Sequence, residues 1–193
     1  MNIGYVVGIG LKKQKIIEGQ KSLYCYLLCL LCILSHFCYA NVSREYQIKA
    51  AFLYNYSKFI TWPEQAFAHA NSPFTLCLFG HDPFGEVLDV TVKNERILGR
   101  KVQIKRIQQV QATVDCHILY VDKSAEMELR NIYRLVRQYP ILTVSDIPDF
   151  VGRGGMVEFI NVSNKVRFTI DIEQLRSVGL KADANLLKIA VPR

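Results

Sequence analysis

Nucleophilic catalysis needs a serine or cysteine held against a base, and near neutral pH that base is usually histidine. Past residue 40 the chain offers only His69, His81 and His117 for the role. His69 lies in a small, polar stretch, and His117 sits inside the apolar run Cys116–Val121, where a satisfied core imidazole is the ordinary outcome. No Gly-x-Ser-x-Gly elbow is present, and no His/Cys/Asp set has the spacing of a metal site. No catalytic, cofactor-binding or metal-ligating residue is assigned.

Three loop motifs remain. Gly80-His81-Asp82-Pro83-Phe84-Gly85 places glycines before a helix start, where open backbone amides would hold a phosphate. Asp82 is a natural cap for those amides and repels an anion, so the motif reads as a capping turn. Thr143-Val144-Ser145-Asp146 sets an acid after an apolar run, with His81 and Asp82 as conceivable neighbours. A phosphoacceptor site would also need a lysine after a later strand, and none is suitably placed. Asp146 therefore reads as a loop cap. Gly152-Arg153-Gly154-Gly155 is the strongest turn signal, read first as a bend, then as a point of partner contact and last as a nucleotide-binding loop. Asp146, Arg153, Gly154 and Gly155 are the candidate partner-contact loop.

The elements behind these loops follow from hydrophobic spacing. Residues 43–60 carry Ile48, Ala51, Phe52, Asn55 and Phe59 at helical intervals, and Trp62-Pro63 ends the helix. Phe74–Phe79, Cys116–Val121 and Ile141–Ser145 are short apolar runs between turn residues, as buried strands are. Gly99–Ile107 alternates apolar and basic residues, like an edge strand with one wet face. Helices are expected over 83–90, from a Ser124 cap to Gln138, over Ile172–Val178 and after Asp183. Met156–Ile160 and Val166–Ile170 form a hairpin. Buried strands alternating with helices imply an α/β fold, a single-domain three-layer sandwich whose mostly parallel sheet ends in a C-terminal antiparallel hairpin.

The amino-terminal segment stands apart. Lys12, Lys13, Lys15 and Lys21 precede the twelve apolar residues Leu23–Leu34, and Cys38-Tyr39-Ala40 closes the segment with a small-x-small pattern. These are the parts of a secretory signal. The apolar run spans about 18 Å as a helix, short of a hydrocarbon core of roughly 30 Å. Residues 1–40 are read as a cleaved signal peptide and 41–193 as the mature domain. An uncleaved signal anchored in the inner membrane is the alternative. Cleavage lowers the formal charge from +7 to about +4, without the basic clustering that nucleic-acid binding requires. It also leaves Cys77 and Cys116 of the six cysteines. In an oxidising compartment the pair points to one disulfide, with two buried thiols as the other reading.

The order of segments resembles the YfiR family of bacterial periplasmic proteins. Glu45–Asn55 with Lys58-Phe59-Ile60-Thr61-Trp62-Pro63 matches its opening, and Phe74–Gly80, Asp82–Gly85 and Cys116–Val121 match its middle. Ile141–Asp146, Phe150, Gly154-Gly155-Met156-Val157, Phe159, Val166-Arg167-Phe168, Gly179-Leu180 and Leu186-Leu187 match its end. The resemblance implies a non-enzymatic, dimeric repressor without cofactor. It would bind the periplasmic region of a membrane diguanylate cyclase and control c-di-GMP and biofilm formation, with an OmpA-like outer-membrane lipoprotein as a possible second partner. It also pairs Cys77 with Cys116. Better-known members carry a second cysteine pair flanking the glycine loop, where this chain has Val151 and Glu158. The rival from another class is a small-ligand-binding periplasmic module for sensing or uptake, and an uncharacterised hydrolase is a distant third.

Overall fold

The computed structural model describes residues 44–192. The signal expected over 1–40 lies outside the described residues. Within them, no helix is long and apolar enough to cross a membrane.

Helix α1 covers residues 44–59 and passes directly into strand β1, Ile60–Thr61. The helix is where its spacing places it, but its inward face is rotated from the expected stripe. Ala50, Leu53, Tyr56 and Ser57 are buried, whereas Ile48 and Phe59 are each nearly two-fifths exposed. Apolar residues surround this helix on every side, so periodicity alone could not select the face. Packing of the large Tyr56 ring does, because it stacks near Phe159 and meets Phe168 edge-on at 5.3 Å.

Strand β2 (Phe74–Phe79) is buried along its whole length, as its unbroken apolar run requires. Helix α2 spans Glu86–Val92, starting later than expected because Gly85, at φ +51°, forms the helix entry. Strand β3 (Arg96–Ile97) then turns through Leu98 and Gly99, both at positive φ, into β4 (Arg100–Ile107). β3 covers only the start of β4, at Arg100 and Lys101, and no strand among the described residues pairs with the outer side of its remaining length, so the alternating strand has the open edge expected of it.

Strand β5 is Ile118–Val121, and a 3₁₀ segment Lys123–Glu128 precedes α3, Leu129–Val136. The single helix expected after Ser124 is thus divided into a 3₁₀ part and an α part, and Ala125 departs from helical geometry within the 3₁₀ part. Its cap is Asp122, whose carboxylate accepts the Ser124 amide at 2.9 Å. Strands β6 (Leu142–Ser145), β7 (Val157–Val162) and β8 (Lys165–Ile170) complete the main sheet. The β7–β8 hairpin turns at Ser163 and Asn164, both left-handed. Helix α4 (Ile172–Ser177), strand β9 (Lys181–Ala182) and helix α5 (Ala184–Ile189) follow. Asp171 and Asp183 cap the two helices, and β9 pairs antiparallel with β1.

The main sheet runs β3-β4-β2-β5-β6-β7-β8, with β4, β2, β5, β6 and β7 mutually parallel. Period-two alternation divides each central strand between two cores. Leu76, Leu78, Ile118, Tyr120, Leu142 and Val144 face the larger one, beneath α1, α2, α4 and α5. Cys77, Phe79, Leu119 and Val121 face the smaller one, beneath α3. The result is the expected three-layer α/β domain. Chain order reverses beside β2, so the carboxyl ends of β2, β5 and β6 converge at the place where doubly wound sheets usually present ligand-binding loops.

Candidate functional site

The loop after β2 is closed by its own side chains. Asp82 Oδ1 accepts the amides of Phe84 and Gly85 at 2.8 and 3.1 Å. Its other oxygen accepts Arg106 Nε at 2.7 Å, and the Arg106 guanidinium also reaches Asp89 and the Gly85 carbonyl. The hydrogen bonds that Arg106 donates to the Asp89 and Asp82 carboxylates hold it charged, with its pKa above the ordinary arginine range. With amides and cation both occupied, the turn has the geometry of a cap and not of a phosphate cradle. Gly80, at φ +93°, would drive an added Cβ to 2.8 Å from the Ser124 hydroxyl, so only glycine lets β2 turn against the β5 loop.

After β6, Asp146 turns inward. Its carboxylate accepts Lys49 Nζ at 2.6 Å and the Tyr120 hydroxyl at 3.1 Å, while Lys123 Nζ lies 3.7 Å away. Lys49 and Asp146 are both buried, and Lys49 also lies 4.6 Å from the centre of the Tyr46 ring. Burial and then the Asp146 charge push both the Tyr46 and Tyr120 phenols up, so both stay neutral. This lysine comes from α1 and not from a later strand. The buried pair joins α1 to the sheet, and a buried charge of this kind is retained only with a partner.

The glycine loop is held from within the sheet. Glu158 on β7 accepts the amide of Asp149 with one oxygen and that of Val151 with the other, at 3.1 and 3.2 Å. At the positions where the resemblance places a second cysteine pair, a carboxylate therefore grips backbone amides. Gly155 is buried, and a Cβ there would meet the Phe150 ring at 2.2 Å. Gly154 stands at φ +106° against the Tyr133 ring, and Arg153 projects to solvent, paired with Glu126. The four candidate contact residues are thus divided: Asp146 and Gly155 face inward, and Arg153 and Gly154 reach the surface.

The remaining candidates lie apart. His117 stacks between Phe67 and Phe74, with ring centroids at 4.6 and 4.8 Å, and its Nδ1 accepts the Thr75 amide. Burial pulls its pKa down to about 4, so the ring is neutral. His69 and His81 are exposed, and no histidine ring bonds a serine or cysteine among the described residues. Cys77 and Cys116 form a disulfide, with Cα atoms 5.8 Å apart. Sequence reasoning missed Lys49 and Glu158. Neither carries a local signal, because each acts only through a partner brought near by folding.

Among curated proteins, no match is found. The model of the YfiR/HmsC-like family matches residues 46–191, nearly the whole described chain. The alignment takes in Lys49, the disulfide, Asp146 and the glycine loop together. On that match the chain belongs to the YfiR/HmsC-like family.

Proposed function

We propose that this protein is a periplasmic regulator that binds and represses the periplasmic sensor region of a membrane diguanylate cyclase, and so controls c-di-GMP and biofilm formation. The observation that carries the reading is the family match over 46–191, which spans the whole folded domain. Two features support it. The segments that could form a catalytic or phosphate site are consumed by internal contacts at Asp82, Arg106 and Asp146. The Cys77–Cys116 disulfide suits an oxidising compartment, as a signal over residues 1–40 would provide.

Repression requires the regulator to bind one state of the cyclase more tightly than the other, since only differential affinity shifts an equilibrium. The dimer and the outer-membrane lipoprotein partner belong to the same proposal. Deleting the gene is expected to raise c-di-GMP, and the mature protein should recover an inner-membrane cyclase from solubilised membranes. Unchanged c-di-GMP in a strain that contains the cyclase would overturn the reading.

A further inference from the structure

A cleft of about 420 Å³ opens between α3, the glycine loop and α4. Arg130, Arg134, Arg137 and Arg153 stand around it, and no acidic side chain is among the residues that line it. All four arginines are exposed. Arg153 pairs with Glu126, and Arg134 donates to the neutral Asn131 side chain, with no ion pair among the described residues. Arg130 and Arg137 make no ion pair among the described residues. The lining also includes apolar parts of Tyr133, Val136, Met156 and Val178.

Helix stability does not account for this set. Cations in the last turn of a helix are favoured by its dipole, which suits Arg134 and Arg137, but Arg130 stands near the opposite end. Spacing of four and three residues instead places Arg130, Arg134 and Arg137 on one side of α3. From the first to the third they cover about 10 Å of helix axis. A single phosphate or carboxylate cannot meet guanidiniums spread over that length. A chain carrying several carboxylates can, and an apolar side chain between them would reach the cleft floor.

We propose that this cleft is the docking site for an acidic polypeptide segment of a partner protein, bound through several carboxylates with one apolar anchor. The inference rests on the regulatory reading and deepens it by giving the partner's chemistry. Arg153 and Gly154 of the glycine loop form one wall, while the α3 arginines form the other. Because Glu126 already pairs with Arg153, binding exchanges that exposed pair for contacts with the incoming segment. Rim charges of this kind act mainly through encounter rate and partner choice, and salt weakens them.

The test uses the mature protein and a fluorescein-labelled decapeptide of Glu and Asp around a central Leu. A second peptide with Gln and Asn in place of the acids is the control. The acidic peptide is expected to bind, to weaken as salt rises, and to lose at least about tenfold in affinity for R130E/R137E. R130K/R137K should keep most of the binding, which separates charge from damage to the fold. Equal binding of the two peptides, or no loss in R130E/R137E, overturns the proposal. So does R130E/R137E-sensitive binding only to vesicles containing anionic lipid, or only to inorganic phosphate. In cells, R130E/R137E should raise c-di-GMP as deletion does. If deletion raises c-di-GMP but this variant still represses, the cleft is wrong and the regulatory reading stands. Peptide binding without any effect of deletion would leave the cleft and remove the cyclase.

Discussion

On the side of the sheet covered by α1, a dense aromatic core forms around Tyr56, with Phe52, Phe159 and Phe168 in contact and Trp62 against Phe74. The opposite side, beneath α3, is built from smaller groups such as Leu119, Val121, Ile132 and Val136, with Phe79 and Phe150 as its large rings. The disulfide lies on this second side. Burial of a large aromatic side chain contributes up to about twofold more than that of a small aliphatic one, because the effect scales with the area removed from water. Where that area is short, a covalent link stabilises by narrowing the unfolded ensemble instead. One sheet thus shows both ways of holding an α/β layer in place.

Removing the link is the most direct way to break this contrast. Cysteines 39 residues apart close a loop worth about 4 kcal/mol in the chain-entropy model. The double variant C77A/C116A, which leaves no stray thiol, is expected to lose about that much in urea unfolding. At roughly 2–4 °C per kcal/mol for a domain of this size, the melting temperature should fall by about 8–15 °C. A loss below about 1 kcal/mol would show that the α3 side is sufficient without its bridge.

The aromatic side has its own weak point in His117. Its pKa is lowered to about 4 in the fold, first by burial and then by the nearby Arg100 charge. An unfolded histidine titrates near 6.5. Above that value the ring is neutral in both states and its packing is fully effective. As pH falls, the unfolded chain takes up the proton first, so stability is lost progressively from about pH 6.5 to about pH 4. The loss amounts to about 3 kcal/mol, because each pH unit between those two values is worth about 1.4 kcal/mol. H117Q should flatten the stability profile over this window, as read by urea midpoints. An unchanged slope would assign the acid sensitivity elsewhere. The folded domain is therefore expected to weaken in acid through its aromatic side, with the disulfide unaffected.

How much of this was legible before folding depends on the range of the interaction. Buried strands such as Phe74–Phe79 announce themselves, because every residue is apolar or nearly so and turn residues bound them. The capping turn at Asp82 is equally local, since donor and acceptor lie within three residues. Selection of the α1 face was not legible, since Ile48, Ala50, Ala51, Phe52 and Leu53 offer apolar groups in several directions. Lys49 and Asp146 lie 97 positions apart, and the carboxylate grip of Glu158 on the loop amides has no pattern in sequence. The arginines of α3 did carry a signal in their spacing. Only the placement of Arg153 across from them makes that spacing a cleft.

The smallest expected effect separates two tyrosines that share one core. Tyr120 donates its hydroxyl to the buried Asp146 carboxylate at 3.1 Å, whereas the Tyr56 hydroxyl is buried with no hydrogen-bond partner among the described residues. A hydrogen bond to a charged group contributes about 1.5–3 kcal/mol, so Y120F is expected to cost about 2 kcal/mol. Y56F removes a hydroxyl that lost its water on folding and gained nothing in return. Its change should lie within about 1 kcal/mol of zero, toward greater stability. Urea unfolding of the two variants reads the difference directly, because each keeps its ring. If Y56F costs as much as Y120F, an ordered water satisfies the Tyr56 hydroxyl. The aromatic side would then hold a second polar contact beside that of Tyr120 with Asp146, and the contrast between the two faces of the sheet would narrow accordingly.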